Sequence, residues 1–382
     1  MEREWLFDDE HRMFRETVRK WVAAELAPYA DEWEKKGEFP VELFQKAGEL
    51  GFFAVGLPEK YGGVDGDFRY PAVFSEEITR CKSGGVSAGL GFHGFVVLPA
   101  INVFGSEEQK EKYLIPGIRG EKIGALAVTE PDTGSDVAGI RTKAVRDGSE
   151  FVINGSKMFI TNGVRADFYI VACKTNLEKR HKGISEIIVE KGTPGFTVGR
   201  KLDKLGWWTS DTAELAFDDV RVPVSNLIGD ENNGFYQIMH DFQPERLLMA
   251  VGSVAAAQYC FDVTLRFAKE RQAFGRPIGT FQVNRHKFAD MATWIELARR
   301  LTYHAVWLYI NGFKCEKETS MCKLFACEKA VEIADMCIQI HGGYGYMMEY
   351  EVQRIWRDQR SQPIGGGTSE IQKEIIGKLL GL

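Results

Sequence analysis

Three stretches of this sequence carry groups that could do chemistry. In "FQPERLLMA" (242–250), Glu245 stands beside Arg246 in strongly apolar surroundings. At the start of an apolar helix, such a carboxylate is ordinarily a partner of the helix dipole. Held at the mouth of an apolar pocket, it would instead have a raised pKa and serve as a general base. The residues alone leave both readings open. "LAVTEPDTGSD" (126–136) runs a short apolar strand into a loop of hydroxyls, proline and glycine. A loop of that kind binds the polar edge of a flat ring, or is an ordinary surface turn. "IGGGTSEIQ" (364–372) strings Gly365, Gly366 and Gly367 ahead of Thr368 and a charged, helical tail. Glycines supply no acid, base or nucleophile; they let another group approach the backbone closely.

Other motifs point away from common chemistries. There is no GxxxxGK[ST] phosphate loop, and no serine-hydrolase nucleophile elbow is expected. "GLGFHG" (89–94) lies inside a helical pattern, so close helix packing explains it better than nucleotide binding. "HGGYGY" (341–346) follows a helical run; its glycines stop the helix and leave room for a ligand near the backbone. The seven histidines form neither HxxxH nor HExxH, so no metal site is expected, and His93 reads as a packing residue. The seven cysteines include no CxxC pair and read as buried free thiols in a reducing cytoplasm.

Several elements must position these groups. Phe14, Val18, Trp21, Val22 and Leu26 recur every three or four residues, the buried face of a helix. "FPVELFQKAGELG" repeats that logic, with Pro40 in the opening turn and Gly51 as a stop. The middle turns to short β-rich runs, and Asn154-Gly155 in "FVINGSKMFITN" predicts a hairpin turn. Helices then return, with Trp294, Ala298, Leu301, Ala305 and Leu308 as a bundle seam. The chain is therefore mainly α with a central antiparallel β domain: helical domain 1–121, β domain 122–230, helical bundle 231–382. A net charge of −6 argues against a general nucleic-acid binder. The longest low-polarity stretch, 247–261, is too short and too polar to span a bilayer.

Six segments in order resemble the acyl-CoA dehydrogenase family of flavoproteins, over essentially the whole chain: "LAVTEPDTGSD", "NGSKMFITNG", "LGWWTSDTAELAFDDVRVP", "RQAFGRPIGTFQ", "QIHGGYGYM" and "IGGGTSEIQ". The resemblance implies FAD, bound between the β domain and a C-terminal four-helix bundle. Val128, Thr129 and Ser135 would lie at the isoalloxazine edge, and Phe159 and Thr161 would flank the ring. Phe159 stands where relatives often carry Trp. Arg271, Phe274 and Gln282 of a second subunit would hold the adenine and pyrophosphate end. Gln339, Gly342 and Gly343 would complete that shell, with Thr368 and Glu370 on the flavin side of the final helix. A shared cofactor implies an oligomer, typically a homotetramer.

The resemblance departs at one place. Many members carry a catalytic Glu where this chain has Gly366. A long-chain and isovaleryl-type subset keeps its base on an earlier helix, and "PERLL" matches that variant, which points to Glu245. The Gly366 N–H would bind the thioester carbonyl, Arg246 would lie close to the CoA moiety, and Ser135 would also touch substrate. Glu245 would take the α-proton of a medium- to long-chain acyl-CoA, straight or branched, and the β-hydride would pass to FAD N5, giving the trans-2-enoyl-CoA. An electron-transferring flavoprotein would accept the electrons. The rivals are an acyl-CoA lyase or desulfinase with non-redox FAD, an acyl-CoA oxidase, and a non-enzymatic acyl-CoA-binding protein. Phe92, His93, Phe95 and Trp207–Trp208 would either reshape the acyl pocket or belong to the core.

Overall fold

The computed structural model describes residues 5–382. The first helix, α1 (Asp9–Trp21), starts where its acidic turn predicts: the Asp8 side chain accepts from the His11 N–H, and Asp9 and Glu10 follow. The expected stripe is buried, with Val18, Trp21, Val22 and Leu26 inside and Phe14 packed against them. Its last residues lie in a π-helical turn, Val22–Leu26. Next come α2 (Ala30–Lys36) and α3 (Glu42–Glu49). The Pro40 carbonyl accepts from Leu43 N–H at the entry of α3, and Gly51 follows its end at φ +74°. Helices α4 (Arg69–Ile78), α5 (Gly84–Phe92), α6 (Leu98–Phe104), α7 (Glu107–Gln109) and α8 (Ile115–Ile118) complete this part.

The glycines of "GLGFHG" are packing glycines. A Cβ on Gly89 would come within 2.7 Å of the Phe39 ring, and one on Gly94 within 2.4 Å of Phe53. His93 is a fully paired core residue. Its Nε2 bonds the Gly117 carbonyl at 3.0 Å, its Nδ1 accepts from Gly124 N–H at 3.1 Å, and burial pushes its pKa down to about 4.

The sheet comprises β1 (Gly124–Ala127), β2 (Lys143–Asp147), β3 (Glu150–Thr161), β4 (Phe168–Lys174), β5 (Ile184–Glu190), β6 (Phe196–Lys201), β7 (Thr212–Pro223) and β8 (Leu227–Ile228). Their order is β6-β7-β3-β2-β4-β5-β8, with β1 alongside β4. The sheet is mixed rather than purely antiparallel, because β1 runs parallel to β4 and β2 touches β4 in parallel. Nor is Asn154-Gly155 a hairpin turn. β3 runs straight through it, and the register against β7 shifts between Ile153 and Gly155. Gly155 sits at φ +148°, and a Cβ there would strike Thr142, so this glycine makes a bulge. The real turn is Gly148-Ser149, between the paired Asp147 and Glu150, with Gly148 at φ +62°. The apolar core is continuous from the first helices through the sheet.

The chain closes with α9 (Gly234–Glu270), α10 (Gln282–Ile310), α11 (Glu316–His341), α12 (Glu351–Gln359) and α13 (Ser369–Leu379). α9 packs on both α10 and α11, and α13 lies against α11. The seam of α10 is Phe288, Met291, Ile295, Ala298, Thr302 and Ala305, at spacings of three and four. Only Ala298 and Ala305 of the expected seam are fully buried; Trp294, Leu301 and Leu308 flank it half-buried, because the true stripe admits Thr302 and leaves them at its edge. Two runs, Gly84–Phe104 and Gly234–Glu270, are long and apolar enough to cross a membrane. The first was not apparent as an apolar stretch, and 67% of it is buried inside the protein. All seven cysteines are buried and unpaired.

One carboxylate ties the layers together. Asp358 of α12 accepts from Gly84 N–H at 2.9 Å and from Trp207 N–H at 2.6 Å. Arg354 beside it reaches Asp31 of α2 at 2.6 Å and the Lys82 carbonyl at 3.1 Å. Removing a buried acceptor strands both donors, so Asp358→Ala should destabilise the protein by about 2–4 kcal/mol. Urea unfolding of the purified variant beside wild type measures this; an unchanged midpoint would show that the contact adds nothing.

Candidate functional site

Glu245 does not open its helix. α9 begins at Gly234, so Glu245 sits about three turns in, directly after Pro244. The first-turn dipole reading therefore does not hold. The side chain is buried, and its Oε2 has no hydrogen-bond partner in the fold. Desolvation pushes its pKa up to about 7; Arg246 and Lys323 pull the other way, and Asp241 adds to the rise. Such a carboxyl is partly ionised near neutrality and is a stronger base than an exposed glutamate.

Arg246 does not neutralise its neighbour through a hydrogen bond. Its Nε donates instead to the Gly366 carbonyl at 2.8 Å, which pins the triple-glycine loop to the helix that carries Glu245. Two side chains that the sequence did not mark fix the same loop. Lys323 Nζ donates to the Gly367 carbonyl at 2.8 Å, and Gln372 Nε2 donates to Gly366 at 3.2 Å and Gly367 at 3.0 Å. Gly366 and Gly367 stand at φ +62° and +92°, where side chains are strained. A Cβ on Gly366 would also meet Met249 Sδ at 2.7 Å. No acceptor among the described residues takes the Gly366 N–H. A free amide donor and an unpartnered carboxyl thus stand on two elements joined by one hydrogen bond.

Other candidate residues lie on the sheet and in the loop beyond β1. Val128 is buried just beyond β1, and its carbonyl accepts from Lys157 Nζ at 2.9 Å. Lys157 is wholly buried and also meets Glu130 Oε1 at 2.9 Å. Glu130 takes the Arg141 and Thr142 amides as well. Burial alone would raise the Glu130 pKa, yet Lys157 and these amides hold it below the usual range. The Thr129 carbonyl accepts from Met158 N–H at 2.8 Å, which stitches the mouth of the loop to β3. Phe159 follows at φ +62° with its ring 65% exposed, an aromatic face held out by a strained backbone. Thr161, half-buried, ends β3, while Ser135 is exposed in the loop.

A second locus lies at the far end of α11. A cavity of about 490 Å³ is lined by Phe267, Arg271, His341, Gly342, Gly343 and Tyr344 among others. Gly342 and Gly343 have open space where a Cβ would stand, and the Arg271 guanidinium lies 5.2 Å from the Tyr344 ring centre. Arg271, Gly342 and Gly343 are thus brought together. Gln339 and Gln282 are exposed outside that lining, and Phe274 projects with its ring 95% exposed. Thr368 caps α13, accepting from Ile371 N–H, and Glu370 is exposed in the next turn. Of the aromatics expected to shape an acyl pocket, His93 and Phe95 are buried. Trp208 stacks under Arg357 at 3.9 Å and Trp207 N–H is spent on Asp358, so both serve packing.

Sequence reasoning missed Lys157, Glu130, Lys323 and the buried Asp241. Lys157, Lys323 and Asp241 each had a signal, a charged residue within an apolar strand or helix, whereas Glu130 lies in the loop beyond β1 and had none of that kind.

Comparison with known proteins follows the same order along the chain. The N-terminal, middle and C-terminal domains of acyl-CoA dehydrogenase match residues 8–121, 125–220 and 232–381. The long-chain specific acyl-CoA dehydrogenase of Sus scrofa mitochondria is 43% identical over 98% of this chain and 87% of its own length. The acyl-CoA dehydrogenase from Geobacillus kaustophilus superposes with a TM-score of 0.96 at 44% identity, covering 98% of this chain and 99% of that one. An FAD complex of PigA superposes with a TM-score of 0.95 at 31% identity, covering 98% of both. The glycine-lined cavity with its single guanidinium suits a dinucleotide's diphosphate, and the presented Phe159 ring suits a flat tricycle. With domain matches from end to end and residues that fit the cofactor, this chain belongs to the acyl-CoA dehydrogenase family of FAD-dependent oxidoreductases.

Proposed function

We propose that the protein oxidises a medium- to long-chain acyl-CoA, straight or branched, to its trans-2-enoyl-CoA with Glu245 as the base. The observation that carries this reading is the buried, unpartnered Glu245 carboxyl on the helix that Arg246 ties to the free Gly366 N–H. The likeness to a long-chain specific relative supports the substrate class.

FAD, when bound, supplies the acceptor for the β-hydride. Val128, Thr129, Ser135, Phe159 and Thr161 would hold its ring, with Thr368 and Glu370 at the ring's other side. Arg271, Phe274, Gln282, Gln339, Gly342 and Gly343 would hold its adenine and diphosphate end from a second subunit. Phe274 stands almost wholly exposed and the Arg271 cavity opens outward, which supports a homotetramer in which subunits share each cofactor. An electron-transferring flavoprotein is the proposed electron acceptor, and seven free thiols support a cytoplasmic location. The protein's own residues do the rest. The Gly366 N–H donates to the thioester oxygen and stabilises the enolate that develops as the α-proton leaves, worth about 3 kcal/mol for one such donor. Glu245 receives that proton. Arg246 and Ser135 complete the substrate side. A lyase or desulfinase on this fold has no need of a buried base, so Glu245 favours dehydrogenation.

Three outcomes test this. Glu245→Gln should bind acyl-CoA but lose bleaching of the flavin absorbance by about 10²–10⁴-fold, followed anaerobically by stopped flow; equal bleaching in variant and wild type would move the base elsewhere. In free enzyme, kcat/KM should rise with pH through a limb near 7, because the raised pKa keeps Glu245 protonated below it. A flat profile between pH 5.5 and about 8.5 contradicts that assignment. Gly366→Ala forces a side chain into φ +62° and should lower kcat by about 10²-fold, with far less effect on acyl-CoA affinity; a pure affinity loss would remove Gly366 from the chemistry.

A further inference from the structure

If Glu245 takes the substrate's α-proton, that proton must afterwards leave. A bound thioester with its acyl chain closes the pocket and excludes water from the carboxyl. The fold offers another route. Asp241 stands one turn before Glu245 on the same face of α9, with Cβ atoms about 5–6 Å apart at that spacing. Like Glu245, it is buried, and its Oδ2 has no partner. Its Oδ1 meets His240 Nδ1 at 3.1 Å, and the His240 side chain is 56% exposed. The line therefore begins at a dry carboxyl, passes a second orphaned carboxyl and ends at an imidazole in solvent.

We propose that Glu245, Asp241 and His240 form a proton exit relay, with Asp241 and His240 carrying the α-proton from the closed pocket to water. The Glu245 carboxyl gives its proton to the Asp241 carboxylate, which restores the Glu245 base. Asp241 then gives a proton to His240 Nδ1, and His240 releases one from Nε2 to water. At the first hop one O–H bond breaks and another forms; at the second the Asp241 O–H breaks as the His240 Nδ1–H forms; at the last the Nε2–H breaks as water takes the proton. Glu245 and Asp241 end as the carboxylates they began as, and exchange with solvent returns the neutral imidazole to its Nε2–H form. The inference rests on the Glu245 reading given above.

The surroundings suit the transfer. Burial pushes the Asp241 pKa up to about 6, against the opposing pull of His240, close to the value near 7 for Glu245. Similar acidities make the hop between them nearly level. Glu186 on β5 faces Asp241 with both oxygens buried and unpartnered, and burial raises its pKa well above the carboxylate range. A neutral Glu186 adds no charge that would trap the proton. The other groups facing this line are Arg246 on α9, Lys323 on α11 and Tyr309 on α10. None of them bridges Asp241 to Glu245 by a hydrogen bond. Phe104 meets the His240 ring edge-on with centroids 5.4 Å apart, which holds the imidazole over Asp241.

The test uses the FAD-loaded enzyme with an acyl-CoA analogue whose β-carbon is replaced by sulfur, so that no hydride can leave. In deuterated water, exchange at the α-carbon then reads proton abstraction and proton escape without any redox turnover. Wild type should exchange, and Glu245→Gln should not. His240→Gln and Asp241→Asn should each slow exchange by about tenfold or more at unchanged analogue affinity, and added imidazole should restore the His240 variant. Exchange at the wild-type rate in either variant overturns the relay while leaving Glu245 as base. Slowing in Asp241→Asn alone also overturns it, since Asp241 would then act only by positioning Glu245. No exchange in wild type, or equal exchange in Glu245→Gln, removes the base assignment and the relay with it. His240 is exposed, so its variant keeps the test decisive even if Asp241→Asn folds poorly.

Discussion

Everything in the site depends on keeping one carboxyl dry. In the proposed reaction Glu245 is a stronger base because it is buried, and that burial is a property of where α9 runs. The helix lies against the sheet at its start, where Gly234 packs on the backbone of Ser185 and Glu186. It lies against the first helical layer further on, where the Leu248 carbonyl accepts from Ser75 Oγ. α10 and α11 cover it from behind. Desolvating a carboxyl costs folding free energy above its ordinary pKa, because the unfolded chain ionises more readily. The structure therefore gives up some stability at neutral pH to keep the proposed base buried.

The opposing donor is held with equal care. A chain segment of three glycines would be among the most mobile in the molecule if left alone. Here its carbonyls are taken by Arg246, Lys323 and Gln372, from three different helices. Cations and an amide fix the carbonyl side, and the amide side stays free for a ligand. Arg246 thus ties the loop to α9, and its place next to Glu245 links the proposed base to the proposed donor. The sheet uses the same device in reverse: Lys157, sunk in apolar surroundings and paired with Glu130, holds the Val128 carbonyl.

Periodicity was a good guide where one face meets one neighbour. The helical stripe of Val18, Trp21, Val22 and Leu26 is buried where its spacing placed it, and the short β-rich runs of the middle region are strands. It failed where an element meets several neighbours or bends. Asn154-Gly155 carries turn chemistry, yet the chain there is a bulge inside a long strand, because β7 supplies partners on both sides of it. The α10 seam slipped because Thr302 is polar by type but buried in place. At the site, Glu245 could be named from its motif, but its depth in the helix could not. Lys323 and Asp241 escaped notice because a charged residue in a helix reads by default as surface. Only the packing of α9, α10 and α11 turns them inward.

Asp358 has a further consequence for how this chain is made. Its carboxylate completes contacts at Gly84 and Trp207, which precede it by 274 and 151 residues. During synthesis the amino-terminal helices and the sheet emerge first, and they share one continuous core. Their amides at Gly84 and Trp207 wait for an acceptor until nearly the whole chain has left the ribosome. Vectorial folding can therefore build a compact amino-terminal body early, but it can lock the layers together only at the end. A chain cut short before α12 would carry two unsatisfied donors at the place where its layers meet, and the cell's quality control would find it open there.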